Sequence, residues 1–208
     1  MNYYDHSLLS VRKFGGAPED YLQIHKFLDS SKLFYHHAKH RLLLHHLFGV
    51  ELTIQKFGDL IHNADGSNVL VRDIAVAHCR EDLNGTVPTL NNWLDQAEVT
   101  VADHWPFPEL TDDTLQAFVL APWHRSGLRS SLLITCSNFG VYLAKEVLGA
   151  EVASQLAKAL PSIRPVEPSL RSFQYTANWQ FTPDQNDLNW LKHHKTLKHE
   201  AKTLSHPN

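Results

Sequence analysis

Residues 20–48 read DYLQIHKFLDSSKLFYHHAKHRLLLHHLF, a stretch that combines dense apolar side chains with regularly spaced polar ones. If the stretch is one helix, its polar residues recur at steps of three and four and fall within an arc of roughly 80°. These residues are His25, Asp29, Lys32, His36 and His40. The rest of the surface is too apolar for a helix alone in water, so neighbouring helices are expected to cover it and to lie close to the polar stripe.

The composition is that of a globular protein with an unusual number of histidines. The chain has 208 residues, of which 43% are hydrophobic and 20% charged, and its net charge of -3 gives no reason to expect nucleic acid as a partner. Fifteen residues are histidine, and nine of them precede residue 79. Because imidazole is the commonest metal-ligating side chain, this enrichment favours a metal site.

The sequence also predicts where the protein resides. The two cysteines, Cys79 and Cys136, form no CxxC pair, so neither a disulfide framework nor a zinc knuckle is indicated. The first residues lack the features of a signal peptide, and no apolar run approaches 18 residues. We therefore expect a cytoplasmic protein that does not enter a membrane.

The periodicity predicts a mainly α protein, with an N-terminal helical bundle and a smaller C-terminal portion that is mixed α/β or helical. We place the boundary between residues 1–97, a histidine-rich metal-binding domain, and residues 98–208, which end in a basic amphipathic helix. No internal repeat is apparent. A first helix is predicted over 6–14, capped by Asp5, and a long one begins at Pro18. A short helix capped by Thr89 is also predicted, and further helices are predicted over 51–61, 69–83, 150–160 and 184–204. A turn is predicted at 63–68, a strand at EVTVAD (98–103), and either a strand entering a helix or one helix at SLLITCSNFGVYLAKEVLG (131–149).

Three pairs of residues one helical turn apart have the spacing of metal ligands: His25 with Asp29, His36 with His40, and His78 with Asp82. Two side chains at i and i+4 lie on one face of a helix and can converge on one ion. The candidate metal ligands are therefore His25, Asp29, His36, His40, His78 and Asp82. Imidazole and carboxylate without cysteine favour zinc, manganese or iron.

Basic residues near the polar stripe suggest an anionic substrate. Lys32 and Arg41 are the candidate catalytic residues, because either can neutralise a phosphate; a solvated charge or an ion pair is the alternative for each. On a straight helix His45 lies almost opposite the stripe, which favours packing and a hydrogen bond to a carbonyl. His6 either approaches the site from the first helix or has a capping or surface role.

Four segments of the first half resemble a known family. They are HSLLSVRKFGG at 6–16, DYLQIHKFLDSSK at 20–32, HRLLLHH at 40–46 and RDIAVAHCREDL at 72–83. Over about residues 3–95 they resemble a family of short, uncharacterised proteins known as a domain of unknown function. The resemblance implies no activity, but it supports treating His25, Asp29, His40, His45, His78 and Asp82 as one set.

A looser similarity is to helical metal-dependent phosphohydrolases of the HD type, although the chain lacks the adjacent His-Asp pair, so the likeness is one of chemistry only. The leading hypothesis is a divalent-metal-dependent hydrolase of a phosphate ester or nucleotide. The alternative is a non-enzymatic helical binding or regulatory module with structural histidines, in which the basic C-terminal helix holds a partner.

Overall fold

The architecture is mainly helical, as the sequence predicts. In the computed structural model, residues 1–36, 38–94, 107–108, 110–160 and 163–172 are described. The α-helices are α1 Tyr3–Phe14, α2 Pro18–Asp29, α3 Arg41–Leu44, α4 Leu47–Phe57, α5 Val71–Asp82, α6 Leu90–Leu94, α7 Asp113–Ser126, α8 Asn138–Leu148, α9 Ala150–Ala159 and α10 Glu167–Ser172. The described part of the C-terminal portion is helical, and the predictions for 98–103 and 184–204 fall outside the described residues.

The first two helices begin and end at identifiable residues. The side chain of Asn2 caps α1 by accepting hydrogen bonds from the backbone N–H groups of Tyr4 and Asp5, so the predicted cap at Asp5 is wrong. The helix begins at Tyr3, three residues earlier than predicted, so Asp5 lies in its first turn and not at its cap. Gly15 ends α1 with a φ of 79°, and Pro18 begins α2 as predicted.

The long stretch that follows is not one helix. α2 ends at Asp29, a 3-10 turn covers Ser30–Leu33, another covers Ala38–His40, and α3 and α4 follow. The hydroxyl of Ser30 donates to the carbonyl of Phe27 at 2.6 Å, a local bond that competes with continued helix. The helix is therefore interrupted more than once, and the predicted single polar stripe is wrong.

A small antiparallel hairpin connects α4 to α5. Strands β1 Leu60–His62 and β2 Asn68–Leu70 pair with Leu60 opposite Leu70. The predicted turn at 63–68 is confirmed, and Gly66 has the positive φ of 76° that such a turn requires. The predicted helix over 51–61 was misplaced, since its last residues belong to β1.

The buried side chains form one hydrophobic cluster that includes residues on both sides of position 97. Trp93 in α6 and Phe139 and Leu143 in α8 belong to it. Lys56 of α4 also pairs with Glu146 of α8, with 2.6 Å between Nζ and Oε2. The proposed division into 1–97 and 98–208 stays a prediction.

The helices α4 and α8 share a short sequence pattern that apolar periodicity does not reveal. The segment LFGVELTIQKFG at 47–58 corresponds to NFGVYLAKEVLG at 138–149, with Phe, Gly, Val, Leu and a final Gly in matching places. Each helix has a side-chain cap, from His46 in α4 and Ser137 in α8. In each, a Cβ on the third residue would lie within 2 Å of a carbonyl oxygen, 1.8 Å from Leu44 for Gly49 and 1.9 Å from Thr135 for Gly140.

Among the helices of the described residues, none combines the length and the apolar character needed to cross a membrane.

Candidate metal centre

Two carboxylates and two imidazoles converge in the interior of the N-terminal bundle. Asp29, His45, His78 and Asp82 each place one potential ligand atom within 4.8 Å of all the others. His78 Nε2 lies 3.0 Å from His45 Nε2, and these nitrogens lie 3.7 and 3.8 Å from Asp29 Oδ1. His45 Nε2 is also 3.2 Å from Asp82 Oδ2. We call these four residues the metal cluster.

The folding of three separate segments brings the metal cluster together. His78 and Asp82 lie one turn apart on the buried face of α5, which packs against α2. Asp29 is the last residue of α2. His45 lies in the short link between α3 and α4, and its carbonyl accepts a hydrogen bond of 3.0 Å from the indole N–H of Trp93. This bond holds the backbone of the link in place.

Basic groups surround the two carboxylates. Lys32 Nζ is 2.8 Å from Asp29 Oδ1, and Arg41 Nε donates to Asp82 Oδ2 at 3.2 Å. His6 Nε2 lies 3.3 Å from Asp82 Oδ1, while its Nδ1 is 2.5 Å from Glu81 Oε2. The side chains of Lys32 and Glu81 are 25% and 21% exposed, whereas those of Asp29 and Asp82 are at most 3% exposed. Lys32 and Glu81 therefore mark the solvent side of the site.

A second layer of polar side chains lies behind the metal cluster. His78 Nδ1 is 3.0 Å from His25 Nδ1, and His25 Nε2 is 2.9 Å from the Ser10 hydroxyl. His40 lies beside His45, with ring centroids 5.2 Å apart, and its Nδ1 is 2.8 Å from the Ser31 hydroxyl. These contacts fix the orientation of two histidines that do not themselves belong to the metal cluster.

Burial keeps most of these imidazoles neutral. Desolvation, reinforced by the nearby His6, lowers the pKa of His25 to about 3 and holds that of His78 well below its usual value. Burial also lowers the pKa of His45, although Asp82 and Asp29 oppose that effect. Neutral imidazole is the form that binds metal, so these side chains need not lose a proton to do so.

Contacts between His6 and Asp82 shift the pKa values of the two groups in opposite directions. Burial would lower the pKa of His6, but its contacts with Asp82 and Glu81 outweigh burial and raise it. Burial would raise the pKa of Asp82, but His45, His6 and Arg41 hold it well below its usual range. Asp29 Oδ2 is buried and has no hydrogen-bond partner among the described residues. A buried carboxylate oxygen in that state is costly unless it gains a partner.

The structure brings together only part of the predicted ligand set. Asp29, His78 and Asp82 belong to the metal cluster, whereas His25 and His40 lie next to it. His36 lies at the surface outside the cluster. The predicted catalytic residues Lys32 and Arg41 contact its carboxylates.

Periodicity alone did not single out His45. On a straight helix it lies opposite the stripe. The helix is interrupted between Asp29 and Arg41, and His45 consequently lies beside Asp29. The family resemblance, which includes the segment HRLLLHH, was the signal that grouped His45 with the other site residues.

The metal cluster and its neighbours, from His6 to Asp82, lie within the part of the chain that matches a known family. No curated protein and no solved structure matches the chain. The matching segment, residues 1–105, covers half of the sequence and contains every residue of the site. The chain therefore belongs to the family DUF6915, described as a domain of unknown function.

Proposed function

We propose that Asp29, His45, His78 and Asp82 bind one divalent metal ion. Bonds of about 2.0–2.1 Å in a tetrahedral site place neighbouring donor atoms about 3.3 Å apart. Four of the six separations between the donor atoms, from 3.0 to 3.8 Å, lie on either side of that value, and all six are within 4.8 Å. The convergence of four donor atoms from side chains that are at most 3% exposed is the observation that carries the proposal.

The donor types limit which metal fits. Two imidazole nitrogens and two carboxylate oxygens suit zinc, manganese or iron. Cys79 is buried next to His78 in sequence, but it is not part of the metal cluster. A thiolate-selective metal such as Cu(I) therefore finds no sulfur ligand in this set.

The activity that we propose for this centre is hydrolysis of a phosphate ester or nucleotide. An ion held by these four residues would accept a water or a phosphoryl oxygen only at a further coordination position, which manganese and iron provide readily. There it would make the water nucleophilic near neutral pH and polarise the phosphoryl oxygen. Lys32 lies at the solvent side, where its ammonium would bind the anionic group of a substrate. Arg41 is buried against Asp82 and would hold that carboxylate in position.

Metal analysis of the full chain, purified without a histidine tag, tests the proposal. We expect about one equivalent of zinc, manganese or iron in the wild type and at least a tenfold weaker affinity in Asp82→Asn. Asp73→Asn is the matched control, because Asp73 lies on the exposed face of the same helix. Substoichiometric metal that Asp82→Asn does not reduce would refute the metal site. A metal-loaded protein that leaves phosphomonoesters and nucleotides intact would refute only the hydrolase.

A second candidate function is a non-enzymatic binding or regulatory module. It is favoured by the charge balance of the site, since Lys32, Arg41 and His6 already pair with its carboxylates. In that case the polar groups are a structural network, and chelators leave the thermal unfolding temperature unchanged. The metal proposal instead predicts that EDTA lowers it. The basic segment 188–208, on which the predicted partner contact depends, lies outside the described residues.

A further inference from the structure

A line of hydrogen-bonded side chains leads from α1 into the metal cluster. It runs from the Ser10 hydroxyl to His25 Nε2 at 2.9 Å, from His25 Nδ1 to His78 Nδ1 at 3.0 Å, and from His78 Nε2 to His45 Nε2 at 3.0 Å. Ser10, His25 and His78 are at most 1% exposed. Water therefore does not compete for these contacts. The third contact joins two nitrogens that would both bind the metal, so only the first two would keep a proton in the metal-bound protein.

The contact between His25 and His78 has two possible proton arrangements. Two nitrogens at 3.0 Å form a hydrogen bond only if one carries a proton and the other has a free lone pair. If His78 Nδ1 donates, the Nε2 of neutral His78 is unprotonated and can bind a metal. If His25 Nδ1 donates, Nε2 of neutral His78 carries the proton and cannot.

We infer that His25 is a positioning residue whose Nδ1 accepts a hydrogen bond from the Nδ1–H of His78 and so leaves His78 Nε2 free of a proton, as a metal ligand. This inference rests on the proposed metal site. A hydrogen bond to the remote nitrogen fixes the tautomer and the ring orientation of a ligating histidine. Ser10 completes the line, because its hydroxyl oxygen accepts a hydrogen bond from the Nε2–H of His25.

The geometry of the rings supports this role for His25. The rings of His25 and His78 are close to parallel, with an interplanar angle of 22° and centroids 5.2 Å apart, which fits a hydrogen bond between their facing nitrogens. His6 packs against the same His78 ring with centroids 3.9 Å apart. His6 thus packs on the ring face of His78, and His25 contacts its remote nitrogen. Together these contacts restrict rotation of the imidazole out of the cluster.

Nitrogen-15 NMR of histidine-labelled wild-type protein loaded with zinc tests the tautomers directly. We expect a proton on His78 Nδ1, zinc on His78 Nε2, and a proton on His25 Nε2. A proton on His25 Nδ1 in the zinc-loaded protein would overturn the inference. This measurement needs no variant, so it does not depend on whether a substitution is tolerated.

Two substitutions at one position separate positioning from packing. In His25→Asn, the side-chain oxygen takes the place of Nδ1 and can accept the proton of His78, whereas His25→Leu has no acceptor. We expect His25→Leu to weaken zinc binding by about 10- to 100-fold, and His25→Asn to restore most of that loss. Equal zinc affinity in both folded variants and the wild type would exclude the positioning role. Absence of zinc binding by the wild type would instead refute the metal site itself.

Discussion

Lys32 is placed where its ammonium would compete with a metal ion for the carboxylate of Asp29. Its ammonium lies 2.8 Å from Asp29 Oδ1, the oxygen that belongs to the metal cluster, and donates to the carbonyl of Met1 at 3.1 Å. A metal ion at that oxygen would repel the ammonium, because two cations a few ångströms apart in a partly buried site are unfavourable. Lys32 is partly exposed, so it can turn toward solvent when a metal binds.

We therefore expect Lys32→Gln to bind zinc more tightly than the wild type does, by roughly tenfold, since the competing cation is removed. The same substitution should lower any phosphatase activity, because the group that binds the anion is lost. Competition with a zinc-sensitive dye measures the affinity. Lys26→Gln, an exposed lysine of α2, is the control, and an unchanged affinity in Lys32→Gln would contradict competition at Asp29.

At the scale of the element, the start of α4 determines where His45 lies. The side chain of His46 caps α4 by accepting a hydrogen bond of 3.0 Å from the backbone N–H of Gly49. Gly49 in turn approaches the carbonyl of Leu44 so closely that a Cβ would lie 1.8 Å from its oxygen. This tight link between α3 and α4 turns His45 inward, and the same glycine contact recurs at Gly140 in α8.

We expect Gly49→Ala to destabilise the protein by at least about 3 kcal/mol, because the contact is with backbone, which cannot move aside as a flexible side chain can. Gly127→Ala is the comparison: its φ of 69° disfavours alanine, but a Cβ there meets no atom within 4 Å. That substitution should cost about 1–2 kcal/mol. Urea unfolding measures both, and an equal loss for the two variants would contradict a clash at Gly49.

The elements differ in how well the sequence predicts them. α5 and the turn at 63–68 follow from local signals, namely apolar periodicity and a glycine in a polar turn. The end of α2 after Asp29 depends on the hydrogen bond from the Ser30 hydroxyl to the carbonyl of Phe27. Apolar periodicity carries no information about that bond. As a consequence, His78 and Asp82 were paired correctly on one helix, whereas the distance between His45 and Asp29 required the tertiary structure.

At the scale of the whole molecule, burial of neutral histidines makes stability depend on pH. Burial lowers the pKa of five of them, to about 3 for His25 and His46. The set is His25, His40, His45, His46 and His78. Below pH 6.5 these five histidines take up protons in the unfolded chain, whereas in the folded protein they stay neutral. Because the unfolded state then binds more protons, the free energy of unfolding falls as the pH falls.

Metal-free protein should therefore lose several kcal/mol of stability between pH 7 and pH 5, at up to about 1.4 kcal/mol per pH unit for each such histidine. His6 has a raised pKa and opposes the trend, but it is one residue against five. Urea midpoints in EDTA measure the slope. His46→Asn retains an acceptor for the cap of α4. It should reduce the number of protons taken up on unfolding by about one and lower the slope accordingly. A flat profile from pH 7 to pH 5 would contradict burial of these histidines in the neutral form.

The central claim is that one metal ion joins three segments of the N-terminal bundle. The most direct measurement is an anomalous difference map from crystals of zinc-loaded full-length protein, collected on both sides of the zinc absorption edge. We expect one peak about 2.0–2.2 Å from Asp29 and Asp82 oxygens and from the Nε2 atoms of His45 and His78. A map without a peak there, with Lys32 still paired to Asp29, would contradict it.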